Sequence, residues 1–196
     1  ARTVRAFEAG LRGVCLFPAM HGFSVAGREA RAVIEAAAAQ PGAVVFVHCG
    51  MLSVGVRKRL GLASWFDMRY SNPVDVHPVA LRHPKLPFVV PHFGAGYFRE
   101  ALMLASLCPN VYLDTSSSNN WTGCMTPPPT LDQVFEQALA VVGPERLVFG
   151  TDSSFFPRGW VWEVYKRQLG VLDRLGAPEE VKTAVLGGNW RRLHTF

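Results

Sequence analysis

Four apolar runs in this sequence lead into a side chain that can bind a metal or move a proton. "VFVHCG" ends in His48, "VVPHFGAG" passes through Pro91 to His92, "VYLDTSSS" ends in Asp114, and "VFGTDSS" delivers Asp152. His48 and His92 lie 44 residues apart and His92 and Asp152 lie 60 apart, so only a fold that gathers strand ends brings them together. Neutral imidazole nitrogen and carboxylate oxygen are donors that a divalent cation takes, and a catalytic zinc keeps one position open for water. Such a cation lowers the pKa of that water to about 7, and a further His or Asp moves protons. A single His at a strand end is an ordinary polar terminus. Two His and an Asp, each followed closely by Gly or Ser, favour a site.

The elements that must position them alternate along the chain. Short apolar, β-branched runs near 13–17, 43–47, 86–90, 110–114 and 147–149 read as five buried strands. Helical patterns fall between or after them, over 27–40, 98–107, 130–142, 160–175 and from Pro178 to the pair Gly187-Gly188. Thr130 and Gln133 have the spacing of a capping box, and Pro178 suits a first helical turn. Continuous apolar strands alternating with amphipathic helices mean a parallel α/β sheet. Its long loops, 49–76 and 115–129, follow strand ends, the side on which α/β folds bind ligands. Residues 1–196 read as a single domain.

Competing motifs are weaker. Gly94-x-Gly96 after a strand, with Asp114 ending the next one, imitates a dinucleotide fingerprint. Arg99 stands where that motif needs a small residue for helix–strand packing. No GxSxG elbow is present, and Ser116-Ser117-Ser118 and Ser153-Ser154 read as loop hydroxyls. Cys49, next to His48, is expected to point elsewhere, into the core or behind the site. His21 in "FPAMHGF" is a candidate substrate contact or a loop histidine. Arg158 in "FPRGW" is a candidate partner for a substrate carboxylate or a packing arginine. Trp121, Trp160 and Trp162 either line a pocket or pack.

Bulk properties narrow the class. The 196 residues are 49% hydrophobic, enough for one sizeable core. Twenty Lys and Arg against 15 Asp and Glu give a net charge of +5. The basic residues are scattered, Arg57-Lys58-Arg59 among them, and form no basic–aromatic stripe of the kind nucleic acid requires. No run is long enough to span a bilayer and the start does not resemble a signal peptide. Four cysteines without a CxxC spacing are expected to be reduced thiols of a cytoplasmic protein. "RTVRAFEAGL" reads as the last turns of a helix, so the chain is expected to begin inside a larger domain.

The segments "VFVHCG", "VVPHFGAG", "NVYLDTSSS", "RLVFGTDSSF" and "GGNWRRL" stand in the order found in the amidohydrolase-related family. That branch of the amidohydrolase superfamily includes aminocarboxymuconate semialdehyde decarboxylase and related metal-dependent hydrolases, and the sequence resembles it over residues 13–196. The resemblance implies a (β/α)₈ TIM barrel of which this chain holds strands 4 to 8. It implies that His48 binds the metal after strand 5, and that His92, after strand 6, orients or deprotonates water. Asp152 of strand 8 then binds metal and shuttles a proton, and Asn189 is a structural residue. The paired His-x-His that the family carries on strand 1 is absent from this sequence. The implied activity is a metal-dependent hydrolase acting at a carbonyl- or ester-type carbon of a small organic substrate, with carboxylates among the candidates. The alternatives are a non-oxidative decarboxylase and an inert fragment. The cofactor expected is a divalent metal, zinc first, with manganese also suited to the ligand set. A homodimer is the assembly implied, with no nucleic-acid or membrane partner.

Overall fold

The computed structural model describes residues 2–63, 65–116, 121–153 and 159–194. Five parallel strands, β1 (Gly13–Leu16), β2 (Val44–Val47), β3 (Phe88–Val90), β4 (Val111–Asp114) and β5 (Leu147–Val148), form one sheet. They lie in the order β1-β2-β3-β4-β5. Every expected strand is present. The strand expected over 147–149 is shorter because Phe149 leaves the ladder and donates its N–H to Val185 O at 3.1 Å.

Consecutive order without a reversal has no topological switch point, the crevice where doubly wound sheets bind dinucleotides. The layering agrees. Val45, Val47, Phe88, Val90, Val111, Leu113 and Leu147 pack in one core with the helices. Val44, Val89 and Val148 occupy the opposite face with Phe46 and Tyr112. A sequential parallel sheet with its crossover helices on one side is an arc of a (β/α)₈ barrel, and the second face is the barrel interior.

The helices are α1 (Arg2–Glu8), α2 (Pro18–His21), α3 (Arg28–Ala38), α4 (Gly55–Arg59), α5 (His77–Arg82), α6 (Phe98–Leu107), α7 (Leu131–Val142), α8 (Trp162–Arg174), α9 (Glu179–Thr183) and α10 (Asn189–His194). α7 carries the expected capping box, with Thr130 and Gln133 bonded in both directions. Ala30, Ile34 and Ala37 of α3 repeat at helical spacing and are buried. Trp121 is buried in the core against Phe98, whereas Trp160 and Trp162 are exposed and cluster with Tyr165. All four cysteines are free thiols, Cys49 being buried in the core. Among the described residues no helix is long and apolar enough to cross a membrane.

Four helices differ from the sequence reading. α2, α4 and α5 were not expected, since 4, 5 and 6 residues are too few to show a period. The chain also does not stop at Gly187-Gly188. It passes through a π turn over Ala184–Gly188 and continues as α10. Trp190 and Leu193 of α10 close the interior face against Phe46 and Val44. Asn189 fixes this turn: its fully buried Nδ2 donates to Pro144 O at 2.6 Å and Leu147 O at 2.7 Å. Replacing Asn189 with Ala leaves two backbone carbonyls without their donor. The expected cost is about 2–3 kcal/mol, read as a lower urea midpoint at constant m-value.

A candidate active site at the strand ends

Alternation along the strands decides which side chains reach the interior. Val44 and Phe46 face it, so His48, two residues on, follows them. Tyr112 faces it, and Asp114 and then Ser116 continue the same parity past the strand end. These residues converge on a cavity of about 390 Å³ lined by Cys15, Phe17, Phe46, His48, Pro91, His92, Asp114, Ser116, Asp152 and Ser153. The three residues singled out in the sequence, His48, His92 and Asp152, therefore share one cavity. Phe17, Phe46 and Pro91 give it apolar walls.

His48 is 6% exposed. Its ring stacks on Phe17 at 5.6 Å and 22° and meets the His92 ring edge-on at 5.4 Å. Its Nδ1 is buried without a hydrogen-bond partner. Burial, reinforced by His92 and opposed by Asp152, lowers its pKa from 6.5 to about 4. At neutral pH it is a neutral imidazole, the form that binds metals. Behind it, Gly50 (φ 75°) runs so close to the Gly94 and Ala95 carbonyls that any Cβ would collide with them.

His92 sits in a turn that ordinary residues avoid. His92, Phe93 and Ala95 have φ of 58°, 52° and 44°, and Asp152 has φ 50°. Non-glycine residues held there cost about 1–3 kcal/mol each and gather at functional sites. The turn is tied across the sheet. His92 N donates to Asp114 Oδ1 at 3.3 Å, and His92 Nδ1 lies 2.9 Å from both Ser116 O and Ser116 Oγ. Ser116 N and Oγ also donate to Asp114 Oδ1. Burial pushes the Asp114 carboxyl up, while the donors from Ser116 and His92 pull it down.

The remaining candidates separate. His21, at the end of α2, is exposed; it stacks on Phe23 and turns an edge to Phe17, and Phe17 rather than His21 lines the cavity. Arg158 lies outside the described residues. Asp114, counted in the sequence among the four converging strand ends but given no role, and Ser116, read as a loop hydroxyl, are both buried in the site. The signal that finds them is the period-two parity of 112, 114 and 116.

Among the described residues no three His, Cys, Asp or Glu groups are arranged to hold a metal ion by themselves. The donor chemistry nevertheless fits a divalent cation in part. His48 offers a neutral ring with an orphaned buried nitrogen, and Asp152 offers a carboxylate on the same cavity.

The His48 shift has a consequence for stability. Its folded pKa of about 4 lies below the ordinary 6.5, so between these values the unfolded chain binds a proton that the folded chain refuses. In EDTA, stability is expected to be full above pH 6.5 and to fall as pH drops toward 4. The loss reaches at most about 3 kcal/mol from this residue. Urea titrations of the metal-free protein across that range measure it.

Known proteins resemble this chain in family and fold. The family model described as Amidohydrolase matches residues 1–196. The fluG protein of Emericella nidulans is 33% identical over 105 residues, covering 54% of this chain and 12% of that protein. An uncharacterised TIM-barrel protein of Bordetella bronchiseptica superposes with a TM-score of 0.68 at 22% identity, over 96% of this chain and 59% of its own. The 5-carboxyvanillate decarboxylase LigW of Sphingomonas paucimobilis gives 0.63 at 17% identity, over 98% and 62%. A probable 2-pyrone-4,6-dicarboxylic acid hydrolase of Acinetobacter baumannii, with citric acid bound, gives 0.64 at 13% identity, over 100% and 68%. The chain thus spans less than two thirds of the fluG, Bordetella and Sphingomonas proteins, and the structural likenesses bear on the fold.

Proposed function

The chain belongs to the amidohydrolase family, and from that premise we propose that it carries the water-activating half of a metal-dependent hydrolase site. The substrate is a small organic molecule, with carboxylates among the candidates, attacked at a carbonyl- or ester-type carbon. The observation that carries the reading is the convergence of His48, His92 and Asp152 on one cavity. His48 and Asp152 are the residues that would hold the cation. When bound, a divalent ion such as zinc, or manganese in its place, polarises the carbonyl and acidifies water. His92 is the base: its ring accepts the proton that water gives up as its oxygen bonds to the substrate carbon. Asp152 shuttles that same proton on from His92 to the departing oxygen, so both residues return to their starting forms. Half-buried Phe17 stacks on His48 and shields that ring, which burial keeps neutral. A catalytic zinc takes three protein ligands, so His48 and Asp152 supply part of such a set.

A second reading, a non-oxidative decarboxylase, draws on the fold shared with the Sphingomonas decarboxylase. The two separate in one comparison. Protein carrying this sequence, loaded with zinc or manganese, is given lactones and aromatic or unsaturated carboxylates. Ring opening of a lactone supports the hydrolase. Carbon dioxide release without any hydrolysis replaces it with the decarboxylase, and no turnover of either, by a chain that binds no metal, favours an inert fragment.

A further inference from the structure

We propose that Asp114 and Ser116 form a positioning pair that holds His92 with its proton on Nδ1 and its lone pair on Nε2. The inference rests on the reading of His92 as the base and adds what makes it one.

The hydrogen bonds dictate the tautomer. Ser116 O is a carbonyl and can only accept, so its 2.9 Å approach to His92 Nδ1 requires the hydrogen on Nδ1. Ser116 Oγ gives its own hydrogen to Asp114 Oδ1, so at 2.9 Å from the same Nδ1 it too accepts. In the neutral ring Nε2 is then the basic nitrogen, on a residue that lines the cavity. When Nε2 gains a proton, the imidazolium already points Nδ1–H at a hydroxyl backed by a carboxylate. No group needs to rotate, which is the preorganisation that favours charge appearing during reaction.

The pair also holds the backbone. Asp114 Oδ1 collects three donors, Ser116 N, Ser116 Oγ and His92 N. The last of these ties down the left-handed residue at φ 58°. Between them, Thr115 faces the other way and makes two 2.6 Å bonds with Gln168 of α8, which anchors the strand end. The neighbouring strand leaves room only because residue 150 is glycine. A Cβ there would lie 2.5 Å from Asp114 Oδ2 and 3.2 Å from Ser116 Cβ.

The test reads the ring itself. The metal-free chain is labelled with ¹⁵N,¹³C-histidine, and the His92 signals are assigned by their loss in His92→Asn. In the parent, neutral His92 is expected as the Nδ1–H tautomer with a downfield, slowly exchanging Nδ1–H proton. Ser116→Ala and Asp114→Asn are each expected to move that proton upfield, speed its exchange with water and raise the share of the Nε2–H tautomer. Thr115→Val removes one of the two bonds to α8, that of Thr115 Oγ1 to Gln168, and leaves the backbone carbonyl bond. It is expected to lower the melting temperature while His92 keeps the parent signature. Unchanged His92 signals in Ser116→Ala and Asp114→Asn overturn the proposal, and so does a Thr115→Val variant that disturbs them equally. A ring that responds as expected in a protein that never opens a lactone keeps this inference and removes the hydrolase reading.

Discussion

His92→Asn is expected to lower kcat by about 10²–10⁴-fold while KM and metal content stay near those of the parent. Asparagine is the informative replacement for two physical reasons. His92 has φ 58°, and asparagine is among the non-glycine residues that enter this region most readily. Its side-chain amide also places an N–H where Nδ1–H stood, so the bond to Ser116 O survives. What disappears is Nε2. The substitution therefore deletes the base and leaves the turn and its tether. Steady-state kinetics on a lactone, with metal analysis and a melting curve on the same sample, checks it. A variant that keeps kcat within about tenfold of the parent removes His92 from the proton path and leaves it a turn residue.

The legibility of this site in the sequence follows the range of the forces involved. The strands were legible because burial on both faces leaves uninterrupted apolar runs; "AVVFV" and "NVYLD" have no other economical reading. Placing His48, His92 and Asp152 on one edge needed only parallel strands and a common direction. The tether between Asp114 and His92 was not legible, because it spans 22 residues and depends on a left-handed turn that no local pattern in "VVPHFGAG" announces. Ser116 was hidden for the same reason, as one hydroxyl in a run of three. α10 lies hidden behind the pair Gly187-Gly188. A glycine pair usually ends a helix, but here Asn189 re-anchors the chain to Pro144 and Leu147 and the helix resumes. Both failures concern bonds between residues distant in sequence. Such bonds refine a site whose outline the apolar pattern had already drawn.

His48→Ala is expected to abolish the stabilisation that zinc gives to the protein that carries this sequence. At a zinc concentration 100 times the parent Kd, the bound ion adds about 2.7 kcal/mol. Losing an outer partner of a ligand costs 10–100-fold in metal affinity, roughly, and losing the ligand itself costs at least as much as the upper figure. At the same zinc concentration the variant then keeps about 0.4 kcal/mol or less. Thermal melts with and without zinc measure both. A second reading of the same variant separates a ligand from a merely buried ring. His48 is neutral because it is buried beside His92, and that alone makes the metal-free parent lose stability from pH 6.5 toward 4. The alanine variant flattens that loss whatever the ring is for. If it flattens the acid response and also loses the zinc response, the orphaned Nδ1 side of His48 belongs to a metal centre. If the acid response flattens and the zinc response persists, His48 is a core imidazole packed under Phe17, and the cation is held by other groups.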